Sequence, residues 1–145
     1  MKIGIGVDHR GFIKKQFVID FLSEKGYDVI DYGTDNNESV DYPDFAFKVA
    51  EDVRDKKLNY GIVMCANGIG VSIAANKVKK VRCAKVSNVD EARHSRLDND
   101  CNMIALGSDL EDELIKEILT AFLKTEFKGE ERFIRRIGKL DNYDD

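Results

Sequence analysis

The residues best equipped for chemistry gather at MCANGIGVS, residues 64–72, where Cys65 heads a turn that carries Gly68 and Gly70. The apolar run YGIVM ends beside the thiol, and VSIAANK opens a helical pattern beyond the glycines. Glycine lets such a turn tighten and lets backbone approach a ligand. The helix behind it presents unpaired N–H groups and the positive end of its dipole. That setting suits an anion or a developing oxyanion, and a thiol placed there is a usable nucleophile or general base. The plainer reading keeps the glycines for turn geometry and cysteine as a small buried hydrophobe. Cys83, within an apolar strand pattern, and Cys101, just before one, fit that reading; Cys65 faces the loop.

Familiar alternatives fail on spacing. A cysteine phosphatase needs an arginine where this chain has Val71. A nucleotide P-loop needs Gly-Lys-Ser/Thr, but Lys77 follows Asn76. Gly4, Gly6 and Gly11 are misplaced for a dinucleotide fingerprint and lie partly inside a strand pattern. Two further clusters remain. In VDHRG (7–11), Asp8 could hold sugar hydroxyls or cap a helix, and His9 could meet a phosphate. In ERFIRRI, Arg132 and Arg136 share a helical face, suited to a phosphate or to solvent.

These residues need elements to position them. Apolar strand patterns occupy 2–7, 27–33, 60–64, 81–86 and 102–107, alternating with helical patterns at 11–26, 41–57, 71–78, 89–99 and 109–127. Gly26 can end the first helix and Pro43 sits in the first turn of the second. Five β-then-α units predict a Rossmann-like three-layer α/β sandwich: a five-stranded parallel sheet, helices on both faces and a C-terminal helical extension. Ligands bind such sheets outside the carboxyl ends of the strands, where DHRG, CANGIG and SNVDE fall.

The 145 residues fit a single domain, 1–145, with 43% hydrophobic and 34% charged residues. The net charge is −4 without a basic stripe, which argues against a nucleic-acid partner. No apolar run is long enough for a membrane span, and the first residues enter a strand pattern at once. Three widely spaced cysteines suit neither a disulfide framework nor a zinc site, so a reducing cytoplasm is expected.

Taken in order, GVDHRG, VIDYGT, DYPDFA, GIVMCANGIGVSIAANK, VRCAKV, SRLDNDCNMIALGS and the arginine tail resemble the type B ribose-5-phosphate isomerases and galactose-6-phosphate isomerase subunits over nearly the whole chain. The resemblance implies an enzyme without metal or cofactor that interconverts aldose and ketose phosphates through a cis-enediolate. It also implies a homodimer or homotetramer with sites shared between subunits. On this likeness Cys65 is the general base, and Ala66, Asn67, Gly68, Ile69 and Gly70 form the anion hole. Asp8 and Tyr42 meet the sugar, His9 the phosphate, Asn99 the ligand, and Arg132 and Arg136 clamp the phosphate.

The chain departs from the pattern at three positions. Asn67 stands where the family has threonine or serine. Asp98 stands where the family has its ring-opening histidine, with His94 one turn earlier, and is the expected acid–base partner. Asp109 replaces a phosphate-binding arginine. A short, mostly open-chain sugar phosphate would need no ring-opening histidine. The alternative is a non-catalytic sugar-phosphate-binding subunit that depends on a related partner chain.

Overall fold

A computed structural model describes residues 1–144. Its elements are β1 Lys2–Val7, α1 Phe12–Glu24, β2 Asp28–Asp31, α2 Tyr42–Arg54, β3 Tyr60–Cys65, α3 Ile69–Asn76, β4 Cys83–Lys85, α4 Val89–Leu97, β5 Met103–Gly107, α5 Asp112–Lys124 and α6 Glu131–Asp141. The strands form one parallel sheet in the order β2-β1-β3-β5-β4. Strand order reverses at β1/β3: β2 is laid on one side of β1 and every later strand on the other. The crevice at such a switch point is where open α/β sheets bind ligands.

The pleat sorts the core into two layers. Ile62 and Met64 of β3 join Ile3, Ile5, Val18, Leu22, Ile118 and Phe122 in a cluster with α1, α4 and α5. Val63 and Cys65 point the other way, into a cluster built from α2 and α3 with Val49, Ala50, Val71 and Ala75. Central strands buried on both faces explain their unbroken apolar runs. Cys65 therefore ends its strand on the α2/α3 side.

Two expectations need adjusting. β2 stops at Asp31, because Gly33, at φ +93°, turns the chain. α3 begins at Ile69, so Gly70 is helical rather than part of the turn. Gly26, at φ +91°, ends α1 as expected. Among the described residues no helix is long and apolar enough to cross a membrane. α6 buries no side chain; Arg82 ties it down, its Nη1 donating to both carboxylate oxygens of Asp141 at 2.8 and 2.9 Å.

Candidate active site

Cys65 is held from both sides. The N–H of Ser108, leaving β5, donates to its carbonyl at 2.9 Å, and that of Asp8, leaving β1, donates to the carbonyl of Met64 at 3.2 Å. Gly11 lets the start of α1 close on the same strand, since a Cβ there would lie 2.6 Å from the Met64 carbonyl oxygen. The thiol sits on the first turn of α3. Gly68, left-handed at φ +83°, donates its N–H to Cys65 Sγ at 3.2 Å, and Asn67 Oδ1 lies 3.9 Å from the sulfur. Such an amide–sulfur bond strengthens when the sulfur carries charge.

Two N–H groups of the loop expected to form the anion hole are bonded within it. Gly68 N–H goes to sulfur and Ile69 N–H to Asn67 Oδ1 at 2.9 Å. The N–H groups of Gly70 and Val71, in the first helical turn, have no partner among the described residues and remain for a ligand. Gly70 has a steric reason of its own. Tyr42, first residue of α2, lays its ring against it, and a Cβ at Gly70 would fall 2.7 Å from the ring's Cζ.

Asp8 is buried, and its Oδ1 accepts from the N–H groups of Arg10 and Gly11, both at 2.9 Å. It shapes the turn into α1 while its second oxygen makes none of those bonds. His9 Nδ1 accepts from Val40 N–H at 3.2 Å, which in the neutral ring puts the proton on Nε2. His9, Arg10, Lys15, Ala66, Ser108 and Asp109 are among the residues lining a cavity of about 960 Å³, at the upper end for small-molecule sites. Asp109 folds back so that its carboxylate occupies the space over Gly107, the residue paired with Cys65 across β3 and β5.

Sequence reasoning passed over Lys15. It shares the buried face of α1 with Val18 and Leu22, and it donates to the Thr34 carbonyl at 2.6 Å and pairs with Asp31 at 2.9 Å. A cation in register with core positions was the available signal; its partners lie on another segment. Ile13, an apolar residue of the helical pattern at 11–26, is exposed.

The remaining candidates lie apart from Cys65. α4 starts at the carboxyl edge of the sheet and runs back, so Asp98, at its C-terminal cap, and Asn99 lie at the amino edge, shortly before β5. Asp98 Oδ2 is 3.3 Å from His94 Nδ1, so the two form one exposed pair. The carbonyl of Asn99 accepts from Arg82 Nε at 3.0 Å, and both residues line a second cavity, of about 440 Å³. Arg132 pairs with Glu130 at 2.5 Å and stacks on Phe133; Arg136 shows no ion pair among the described residues.

The other two thiols fit the packing reading. Burial pushes Cys83 strongly upward and Cys101 up to about 11. Burial likewise raises Tyr32, whose hydroxyl donates to Asp52 at 2.6 Å.

A parallel α/β sheet with a switch-point crevice, and a roomy cavity lined by His9, Arg10, Ala66 and Asp109, defines the class: a small-molecule α/β enzyme. The chain belongs to the Ribose/Galactose Isomerase family, which it matches over residues 3–140. It is 42% identical to ribose-5-phosphate isomerase B of Escherichia coli (strain K12), over 88% of this chain and 87% of that protein. It is 39% identical to D-erythrulose-4-phosphate isomerase of Pectobacterium atrosepticum, over 89% and 86%. The structure of Clostridium thermocellum ribose-5-phosphate isomerase B superimposes with a TM-score of 0.96 at 49% identity, covering 99% of this chain and 97% of that one.

Proposed function

We propose that the protein interconverts an aldose phosphate and its ketose through a cis-enediolate, with Cys65 as the base. Cys65 takes the proton from C2 of the open-chain aldose and returns it to C1, while the O2 hydroxyl proton passes to the neighbouring O1 within the cis-enediolate, leaving the ketone at C2. The charge that develops on the substrate oxygen is met by the N–H groups of Gly70 and Val71. Asp8 and Tyr42 orient the sugar, and His9 Nε2–H meets the phosphate. The observation that carries this reading is the thiol bonded to Gly68 N–H at the β1/β3 crevice. The test is Cys65→Ala: isomerisation and solvent-hydrogen exchange at C2 of the substrate should fall at least 1000-fold. Full exchange in that variant would remove the mechanism.

The active unit is a homodimer or larger homo-oligomer. Asp98, Asn99, Arg132 and Arg136 lie away from Cys65 in their own chain, so a second copy supplies them. Ile69 and Ile73 on α3, and Ile134 and Leu140 on α6, are more than half exposed and suit an apolar interface. Mixing inactive Cys65→Ala and Asp98→Asn proteins with subunit exchange should restore about a quarter of wild-type activity: half the dimers are mixed, with one intact site each. No restoration would place the site within one chain. Isomerase turnover by the purified protein alone dismisses a partner-dependent subunit.

Asp98 also favours a four-carbon substrate over ribose 5-phosphate. A tetrose 4-phosphate has no free O4 to close a furanose ring, so it needs no ring-opening histidine. A higher kcat/KM for ribose 5-phosphate than for erythrose or erythrulose 4-phosphate would reject this preference.

A further inference from the structure

Three residues that line the large cavity can carry positive charge: His9, Arg10 and Lys15. Lys15 is committed. Its Nζ lies 2.9 Å from Asp31 Oδ2, 2.6 Å from the Thr34 carbonyl and 3.4 Å from Asp35 Oδ1, and the side chain is only 6% exposed. His9 spends Nδ1 on Val40 N–H and offers one N–H from Nε2. Arg10 differs: its backbone N–H is anchored on Asp8 Oδ1 at 2.9 Å, but its guanidinium has no carboxylate partner among the described residues. Two carboxylates, Asp35 and Asp109, line the same cavity. With His9 neutral, the formal charges of Arg10 and Lys15 just balance them. Without Arg10 the cavity would carry net negative charge and repel a dianion.

We propose that Arg10 is the cation of this cavity that binds the substrate's phosphate group, beside His9 Nε2–H, and that Asp109 makes the site depend on it. The assignment rests on the sugar-phosphate reading above. Arg10 is exposed and fixed at its Cα by the Asp8 turn, so its planar fork can meet two phosphate oxygens without breaking an existing ion pair. Asp109 and the backbone of Ala66 and Asn67 share the space over Gly107, so one carboxylate of this cavity stands beside the thiol loop. A phosphate in this cavity can then lean on one free cation of this chain, and on α6 arginines only from a second copy.

The probe is inorganic phosphate, titrated by ³¹P NMR against the full-length protein, with isomerase kinetics alongside. Arg10→Gln should weaken phosphate binding 10- to 100-fold, the range expected when a charge-assisted hydrogen-bond pair is lost. It should lower kcat/KM for a sugar phosphate to a similar degree. Arg10→Lys should recover part of the loss, and Asp109→Asn should tighten phosphate severalfold. Phosphate affinity within twofold of wild type in Arg10→Gln, or tighter binding, overturns the proposal; so does a wild-type protein that binds no phosphate. If phosphate binding follows the expected pattern while no sugar phosphate is isomerised, the isomerase reading fails and the Arg10 site stands.

Discussion

Gly68→Ala concentrates the structural reasoning about the thiol loop in one methyl group. Gly68 sits at φ +83°, where an L side chain costs roughly 1–2 kcal/mol. The added Cβ would also lie 3.0 Å from the Leu106 carbonyl carbon and 3.3 Å from the Gly107 and Leu106 nitrogens. Those atoms belong to β5, which is paired with β3 on one side and β4 on the other, so they have little room to yield. Overpacking of that kind costs about 1–3 kcal/mol. The sum, about 2–5 kcal/mol, is a large share of a typical 5–15 kcal/mol stability and leaves a folded protein over most of that range. The N–H that reaches Cys65 Sγ turns with this residue, and Gly70 and Val71, the proposed oxyanion donors, follow on the same turn. Activity should therefore fall about 100-fold even where the protein is fully folded. Urea unfolding measures the first quantity, and C2–H exchange measured well below the unfolding midpoint measures the second. The contrast is Gly138→Ala on α6, where an added Cβ meets nothing within 4 Å and helix propensity gains up to about 1 kcal/mol. A Gly68→Ala protein within 0.5 kcal/mol of wild type and fully active would refute this account of the loop.

Other outcomes follow from the rest of the molecule. Burial raises Cys101 to about 11 and Cys83 further, so at pH 8 roughly one Cys101 in a thousand is thiolate. Iodoacetamide should spare both thiols in the native protein and label them in urea; rapid native labelling at either would contradict their burial. The raised values have a linked sign. From about pH 9 to 11 the unfolded chain releases thiol protons that the folded chain keeps, so stability declines as pH rises through that window. Cys101→Ala should flatten the fall in urea midpoint. Asp141→Asn should release α6, which buries no side chain, and raise hydrogen exchange in 131–141 several-fold while the β-sheet amides stay protected. Unchanged exchange in α6 would mean that the Arg82 pair does not hold it.

The alternating architecture was legible because two physical signals are strong here. Central strands covered on both faces read as unbroken apolar runs, and helices such as α2 and α5 carry a clear 3.6-residue pattern. What escaped depended on contacts between distant segments. Gly70 looks like turn chemistry, yet it is helical, and its small size serves the ring of Tyr42, far away in sequence. Lys15 looks like surface charge, yet three oxygens from 31–35 hold it inside. Ile13 looks like core and faces solvent, because α1 is rotated to bury Lys15, Val18 and Leu22.

The separation of the candidate residues follows from chain order and carries a functional consequence. In a parallel sheet every helix that follows a strand starts at the carboxyl edge and returns its C-terminus to the amino edge. Asp8 and His9 leave β1, and Cys65 ends β3, so they share the carboxyl edge. Asp98 and Asn99 close α4, and Asp141 of α6 is tied to Arg82, just before β4, so they belong to the amino edge. A strand of β5's length, Met103–Gly107, separates those edges by roughly 16 Å at about 3.3 Å per residue. No side-chain rotamer of Asp98 crosses that distance. For Asp98 to serve the thiol, the unit that does the chemistry must be an assembly in which one copy's α4 and α6 meet another copy's β1/β3 crevice. Association and catalysis should then be lost together on dilution.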